Sequence, residues 1–410
     1  MGHGVAIVGA GYAGMAAAVT LVLRGIRPTV FESGPVAGGR ARRVVTQGVE
    51  IDNGQHILVG AYSELFRLMH LVGVAGDAVL RLPLDLRYFD GFRLRARFPG
   101  SLGLLYALAT AALPVAEKLS SVRFLRALQR AGFALEEDVT VEELLHRHGQ
   151  HGKIGRYVWR PLCVSALNTP TDTASAQAFL VVVRDALFGG PGASDLALPR
   201  VDLSKLFPEP AAAYVERHGG EVRLGSTVRD LDALRRKYAR IIVAVGPHQL
   251  KGLLPAGAPS YSYQPIYTCY LQYEQATRLP APMLGMVDGL VQWVFDRGAL
   301  TGEHGRLACV ISAQGGHQEL EHDAIAQRCH AELARLLPQL PQPRWARVIA
   351  EKRATIACTP GAKSVRLEVP GVTLAGDYLD PEYPPTLEAA TRSGVRAATQ
   401  VADALQNEAA

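Results

Sequence analysis

Gly9, Gly11 and Gly14 stand at Gly-x-Gly-x-x-Gly spacing between a β-branched run, Val5–Val8, and an apolar stretch, Met15–Leu23, with no interior Gly or Pro. These residue types can hold a diphosphate. Gly9 permits a tight turn, Gly11 lets the backbone approach a pyrophosphate, and Gly14 lets a helix pack close on a strand. The free N–H groups of the first helical turn, on residues such as Tyr12 and Ala13, face the phosphates, and the helix dipole favours their charge. A second run, Thr29–Phe31, ends in Glu32, 21 residues after Gly11, with Ser33 next to it. A carboxylate there accepts both ribose hydroxyls of an adenosine and repels a 2′-phosphate. A glycine turn alone also serves plain strand–helix packing. Here strand, triad, helix, strand and acid fall in order, which points to a dinucleotide site.

Gly38-Gly39-Arg40 follows Glu32 after a short loop. Two glycines allow close backbone approach, and Arg40 carries a guanidinium toward the same pyrophosphate; a surface loop with a solvated Arg is the plainer reading. Near the other end, Val372–Asp377 is a strand ending in Gly376-Asp377, and Pro384-Pro-Thr386-Leu387-Glu388 opens a helix running to about Leu405. This arrangement resembles the FAD-binding amine oxidase and phytoene desaturase superfamily. The resemblance implies an α/β chain: a Rossmann-type FAD-binding domain with a discontinuous α+β substrate domain. It implies that Asp377 meets the ribityl or pyrophosphate part of FAD, although a helix-capping role suits Asp377 as well. It implies that the helix opened by Thr386 and Leu387 aims its N-terminus at the flavin, where it stabilises negative charge. In the middle, Gly220–Leu224 and Arg240–Gly246 read as strands with Gly ends, and Val228 occupies the place where the superfamily covers the adenine. The cofactor domain is thus expected over 1–60, 205–250 and 360–410. The substrate domain takes 61–204 and 251–359: largely helical over 61–200, antiparallel strands at 266–273, 290–295 and 307–312, then a helix over about 320–337. No second glycine triad appears, so the electron donor stays unidentified.

Asp52-Asn53-Gly54-Gln55-His56 is a dense polar cluster after Val49 and Ile51. Gly54 permits approach to a flat ring, and Asp52 and His56 supply a proton donor with an orienting partner. A turn whose polar side chains bond local backbone is the alternative. With this cluster, the strings Pro161-Leu-Cys163, Ala166-Leu-Asn168-Thr-Pro170 and Gly192–Ser204 resemble the hydroxysqualene dehydroxylases over nearly the whole chain. That resemblance implies reduction of an allylic alcohol on a polyisoprenoid lipid: an acid, His56 or Asp52, protonates the hydroxyl, an allylic cation develops, and reduced flavin delivers hydride. Tyr62, Trp159, Tyr267, Tyr270, Trp293 and Phe295 then offer π-faces to the cation, or are simply core. The rivals are a desaturase or amine oxidase on the same scaffold, and a lipid-escort protein without redox chemistry.

The chain has 410 residues, 48% of them hydrophobic, enough for two or three domains. Its five cysteines (Cys163, Cys269, Cys309, Cys329, Cys358) show no metal spacing. An odd number, with a strand starting almost at the N-terminus and no secretion signal, points to reduced thiols in a cytoplasm. Residues 81–130 hold nine Arg or Lys against three Asp or Glu, although the whole chain carries only +5. Within that window Phe98–Ala116 is free of charge, between Arg93, Arg95 and Arg97 before it and Lys118, Arg123, Arg126 and Arg130 after it. The run is too short to span a bilayer. It suits a helix lying peripherally in a membrane interface, or a core helix with solvated flanks; both readings stay open. No nucleic-acid reading motif accompanies the basic patch. A gently purified protein is expected to be yellow; a colourless preparation that takes up no FAD on reconstitution would remove the redox reading.

Overall fold

The computed structural model describes residues 4–254, 260–362, 369–380 and 382–409. Val5–Val8 is apolar throughout and wholly buried, the pattern of a strand inside a parallel sheet; it forms β1. Helix α1, Tyr12–Leu23, starts three residues earlier than the apolar run suggests and buries ten residues. A helix apolar on every side must be covered on every side. Strand β2 (Pro28–Phe31) lies parallel to β1, with Val5 opposite Pro28. The antiparallel hairpin β3 (Arg43–Thr46) and β4 (Val49–Asp52) then delivers the polar cluster.

The run expected to be helical contains α2 (Ser63–Leu71), α3 (Gly100–Thr110), α4 (Val115–Arg130), α5 (Arg160–Leu167) and α6 (Ala176–Phe188). It also holds short strands at Val79–Leu82, Asp85–Arg87, Arg93–Arg95 and Leu196–Pro199. The apolar run is not one helix. α3 stops at Thr110, and Pro114 caps the start of α4, where its missing N–H costs nothing. α3 buries Leu104, Ala107 and Leu108, while Leu102 and Leu105 are exposed. The helix therefore has one core face and one exposed apolar face.

The chain then returns to the first sheet with β5 (Glu221–Arg223) and β6 (Arg240–Val243). It builds a second sheet from β7 (Tyr263–Gln272), β8 (Met283–Gly285), β9 (Trp293–Asp296), β10 (Arg306–Ser312) and β11 (Trp345–Ile356), with α7 (His322–Leu336) before β11. It comes back with β12 (Val372–Leu374) and ends in α8 (Leu387–Ala409). The first sheet runs β5-β2-β1-β6-β12, all parallel. The second runs β8-β9-β10-β7-β11, all antiparallel. Strand β9 begins at Trp293, three residues later than the alternation suggests. The five cysteines are buried and unpaired, and no helix among the described residues is long and apolar enough to cross a membrane.

Gly14 sets the distance between α1 and the turn. A Cβ there would lie 1.9 Å from the Gly9 carbonyl oxygen, a clash with backbone that cannot move aside. Gly14→Ala should cost the FAD-free protein roughly 1–3 kcal/mol, read by urea unfolding; an unchanged midpoint would show that the helix can shift.

Candidate active site

One cavity of about 1140 Å³ reaches both sheets. On the first sheet its wall carries Gly9, Gly11, Tyr12, Ala13, Glu32 and Ser33, then Gly38, Gly39 and Arg40. Val228, Gly246, Gly376, Asp377, Thr386 and Leu387 complete that side, and the turn contributes Gly54, Gln55 and His56. Of the residues expected to hold cofactor, Gly14 alone is off the wall; it lies behind the turn and serves packing.

A dinucleotide fits this cradle. Helix α1 has Gly11 at its N-cap, no side-chain cap and no acid in its first turn, so its N-terminal amides are available to phosphate. Gly11 bridges to Gly38, and a Cβ on Gly39 would sit 3.2 Å from the Gly11 Cα. Side chains there would fill the space of a diphosphate. Ala10 N and Gly34 N donate to opposite oxygens of Glu32 at 2.8 and 2.7 Å. They fix the carboxylate and leave lone pairs for ribose hydroxyls. Arg40 and Asp377 do not reach separately toward the cofactor. They bond each other, Arg40 Nη2 donating to Asp377 Oδ1 at 2.6 Å, while Nη1 donates to the Ala354 carbonyl at 2.7 Å.

The polar cluster divides between two cavities. Gly54 lies against β7: a Cβ there would be 3.8 Å from His56 Cε1 and 3.9 Å from Thr268 Oγ1. His56 faces the large cavity, with its Nδ1 buried and unpartnered. Burial, and then the nearby Arg40 charge, lower its pKa to about 4 against the support of the Gly54 backbone, so the imidazole is neutral at pH 7. Asp52 corrects the expectation that it is an acid in the cavity. It belongs to the end of β4 and lines a separate pit of about 260 Å³ with Arg200, Lys205, Arg297 and Glu303. Its Oδ1 accepts from Leu203 N at 2.8 Å, and its Oδ2 faces Arg297 Nη1 at 3.4 Å. Arg297 also donates to Gln55 Oε1 at 3.1 Å, so the buried pair braces the turn from behind. Burial lifts the Asp52 carboxyl to about 6 despite Arg297 and the Leu203 amide.

A family model for flavin containing amine oxidoreductase matches residues 12–402. The chain belongs to that family. This flavin amine oxidoreductase is an FAD-dependent oxidoreductase. A hydroxysqualene dehydroxylase of Sinorhizobium fredii is 28% identical over 426 residues, covering 97% of this chain and 98% of that one. A zeta-carotene desaturase of Synechocystis sp. is 25% identical over 483 residues, covering 97% and 96%. The solved cyclohexylamine oxidase of Brevibacterium oxydans shares the fold, with a TM-score of 0.72 at 19% identity over 99% of this chain and 100% of that one.

The second-sheet wall of this flavoprotein is apolar on β7, β9 and the middle of β10, at Ile266, Trp293, Phe295 and Val310, and polar where Ser312 and the β11 residues Glu351, Lys352, Arg353 and Thr355 line it. Tyr62 also lines the cavity, whereas Trp159, Tyr267 and Tyr270 do not; they are core. Tyr270 instead donates its hydroxyl to the Asp52 carbonyl at 3.0 Å. Asn168 went unread as a joint. It ends α5 in the left-handed region at φ 47°, which Asn tolerates better than most. Its Nδ2 lies 3.1–3.3 Å from Gln264 O, Pro265 O and Thr355 Oγ1, and its Oδ1 accepts from Ala313 N at 2.7 Å. One side chain thus sews α5 to β7, β11 and the exit of β10. The string Ala-Leu-Asn-Thr-Pro signalled it, without showing what it would bond.

Linkage makes the Asp52 placement testable. Its carboxyl titrates higher folded than unfolded, so its contribution is fully present below about pH 4 and lost as pH rises through 6. Relative to wild type, Asp52→Asn should gain about 1 kcal/mol between pH 5 and pH 7, measured by urea unfolding at both. A constant difference would mean that Asp52 is ionised throughout.

Proposed function

We propose that this flavoprotein reduces the allylic alcohol hydroxysqualene to squalene. The observation that carries the reading is a single cavity with a nucleotide cradle on one sheet and an apolar patch of Ile266, Trp293, Phe295 and Val310 on the other, and with His56 on the turn packed against β7. Near-full-length similarity to proteins named for hydroxysqualene and for zeta-carotene supports a polyisoprenoid substrate. Residues 1–60, 205–250 and 360–410 are assigned to the cofactor, and 61–204 with 251–359 to the substrate.

The reaction balances as R–OH plus two electrons and two protons giving R–H and water. Bound FAD in its reduced form supplies a hydride equivalent. An outside donor must restore it. Ile266, Trp293, Phe295 and Val310 hold the hydrocarbon and exclude water, which would otherwise trap a developing cation. Trp293 is held by its Nε1, which donates to Ser165 Oγ at 2.9 Å, so its ring keeps one orientation. His56 holds the proton for the leaving hydroxyl on its ring nitrogens. A low pKa makes its charged form a strong acid, present in small amount at pH 7.

An amine substrate is disfavoured by the same cavity. Its carboxylates among the described residues are Glu32, Glu351 and Asp377. Each is engaged: Glu32 by backbone amides, Glu351 by Asn53 Nδ2 at 3.2 Å and Arg353 N at 3.1 Å, Asp377 by Arg40. An incoming ammonium would meet no carboxylate free of protein donors.

Chemically reduced protein given hydroxysqualene should form squalene by mass, while oxidised protein given squalene should form nothing. In single turnover the rate should rise close to tenfold per unit as pH falls from 7 to 5. His56→Ala, with FAD retained by its visible spectrum, should lose that slope and about 10²-fold in rate. An unchanged rate would take His56 out of the mechanism.

A further inference from the structure

Among the described residues, nine large apolar side chains are markedly exposed, and five of them fall between residues 98 and 119: Phe98, Leu102, Leu105, Val115 and Leu119. Leu102 and Val115 keep 69% and 71% of their surface open. At about 100° per residue, Leu102, Leu105 and Ala109 share an arc of about 60° on α3. On α4, Val115, Leu119, Arg123, Arg126 and Arg130 share an arc of about 80°. One face of α4 is therefore apolar at its N-terminal end and cationic beyond it. The strand leading into α3 adds Arg95 and Arg97, both exposed, alternating with the buried Leu94 and Ala96.

No ion pair among the described residues involves Arg95, Arg97, Arg123, Arg126 or Arg130. The three acids of this stretch are occupied. Asp85 pairs with Arg87 and Arg93, Asp90 bonds Tyr157, and Glu117 accepts from Ile154 N. Lys118 donates to the Ala109 carbonyl at 2.6 Å and closes the end of α3. Exposed apolar side chains gathered in one stretch and flanked by unanswered positive charge mark an interaction surface.

We propose that α3 and the start of α4 dock on an anionic lipid bilayer. Leu102, Leu105, Val115 and Leu119 enter the acyl boundary, and the five arginines meet phosphate headgroups. The charge selects this occupant over a second copy of the chain, because a self-complementary contact would set one cationic rim against another. No described helix is long and apolar enough to cross, so the contact is one-sided. The inward residues Leu104 and Leu108 belong to the same apolar cluster as Trp293, Phe295 and Val310 of the cavity wall. The lipid-facing surface and the reaction cavity thus share one core. The proposal does not rest on the reaction.

The test is co-sedimentation of the FAD-loaded protein with vesicles of equimolar phosphatidylglycerol and phosphatidylcholine, and with phosphatidylcholine alone. Partition should favour the anionic vesicles and fall with added salt. Leu102→Ser with Leu105→Ser should lower it at least tenfold. Arg123→Gln, Arg126→Gln and Arg130→Gln should lower it about fivefold per charge, on anionic vesicles only. Leu224→Ser, at an exposed apolar site elsewhere, should leave it unchanged. The flavin spectrum and unfolding midpoint report that each variant is folded. Binding that ignores phosphatidylglycerol, or that survives both the Leu and the Arg variants, overturns the proposal. So does velocity sedimentation showing a dimer that the Leu variants dissolve.

Discussion

The guanidinium of Arg40 links three distant parts of the chain. It bonds Asp377 near the C-terminus and the Ala354 carbonyl at the end of β11, while its own loop lies against Gly11 through Gly38. Charge-assisted bonds of this length are among the stronger ones in a protein. Losing either partner would strand a mostly buried charge. The cavity keeps its shape only while the two sheets stay in register across this joint.

The turn after β4 shows how a short stretch can serve two sides. Asp52 faces backward into a polar pit and is braced by Arg297, while His56 faces forward into the cavity. Arg297 touches both halves through Asp52 and Gln55. Rigidity behind the turn is what keeps the imidazole in place in front of it. Burial acts on the two groups in opposite senses: it raises the carboxyl and lowers the imidazole, since it disfavours the charged form of each.

Much of this was legible in the residues. The glycine spacing, Glu32, Gly38-Gly39-Arg40 and Gly376-Asp377 mark positions where backbone must come close to a ligand, and nearly all lie on the cavity wall. Strands β1 and β6 read clearly because strands buried on both faces are apolar runs, broken in β6 only by the half-buried Arg240 at its start. Strand β11 was not legible: none of its twelve residues is buried, and Glu351, Lys352 and Arg353 interrupt any alternation. The facing of Asp52 and the partners of Asn168 were also hidden, because both depend on segments more than ninety residues away. Periodicity reports which face of an element is covered, not what covers it.

The first sheet is assembled from three visits of the chain, and its outermost strand is Val372–Leu374. During synthesis, β6 must wait with an open edge until that strand leaves the ribosome, since neither can pair earlier. The lobe between the visits is translated before its host is finished. Complete capture of the cofactor must therefore follow translation of residues 372–387. Truncation before Val372 would remove far more than a tail: it would leave the chain without Gly376, Asp377, Thr386 and Leu387 of the cradle and with a sticky edge on β6.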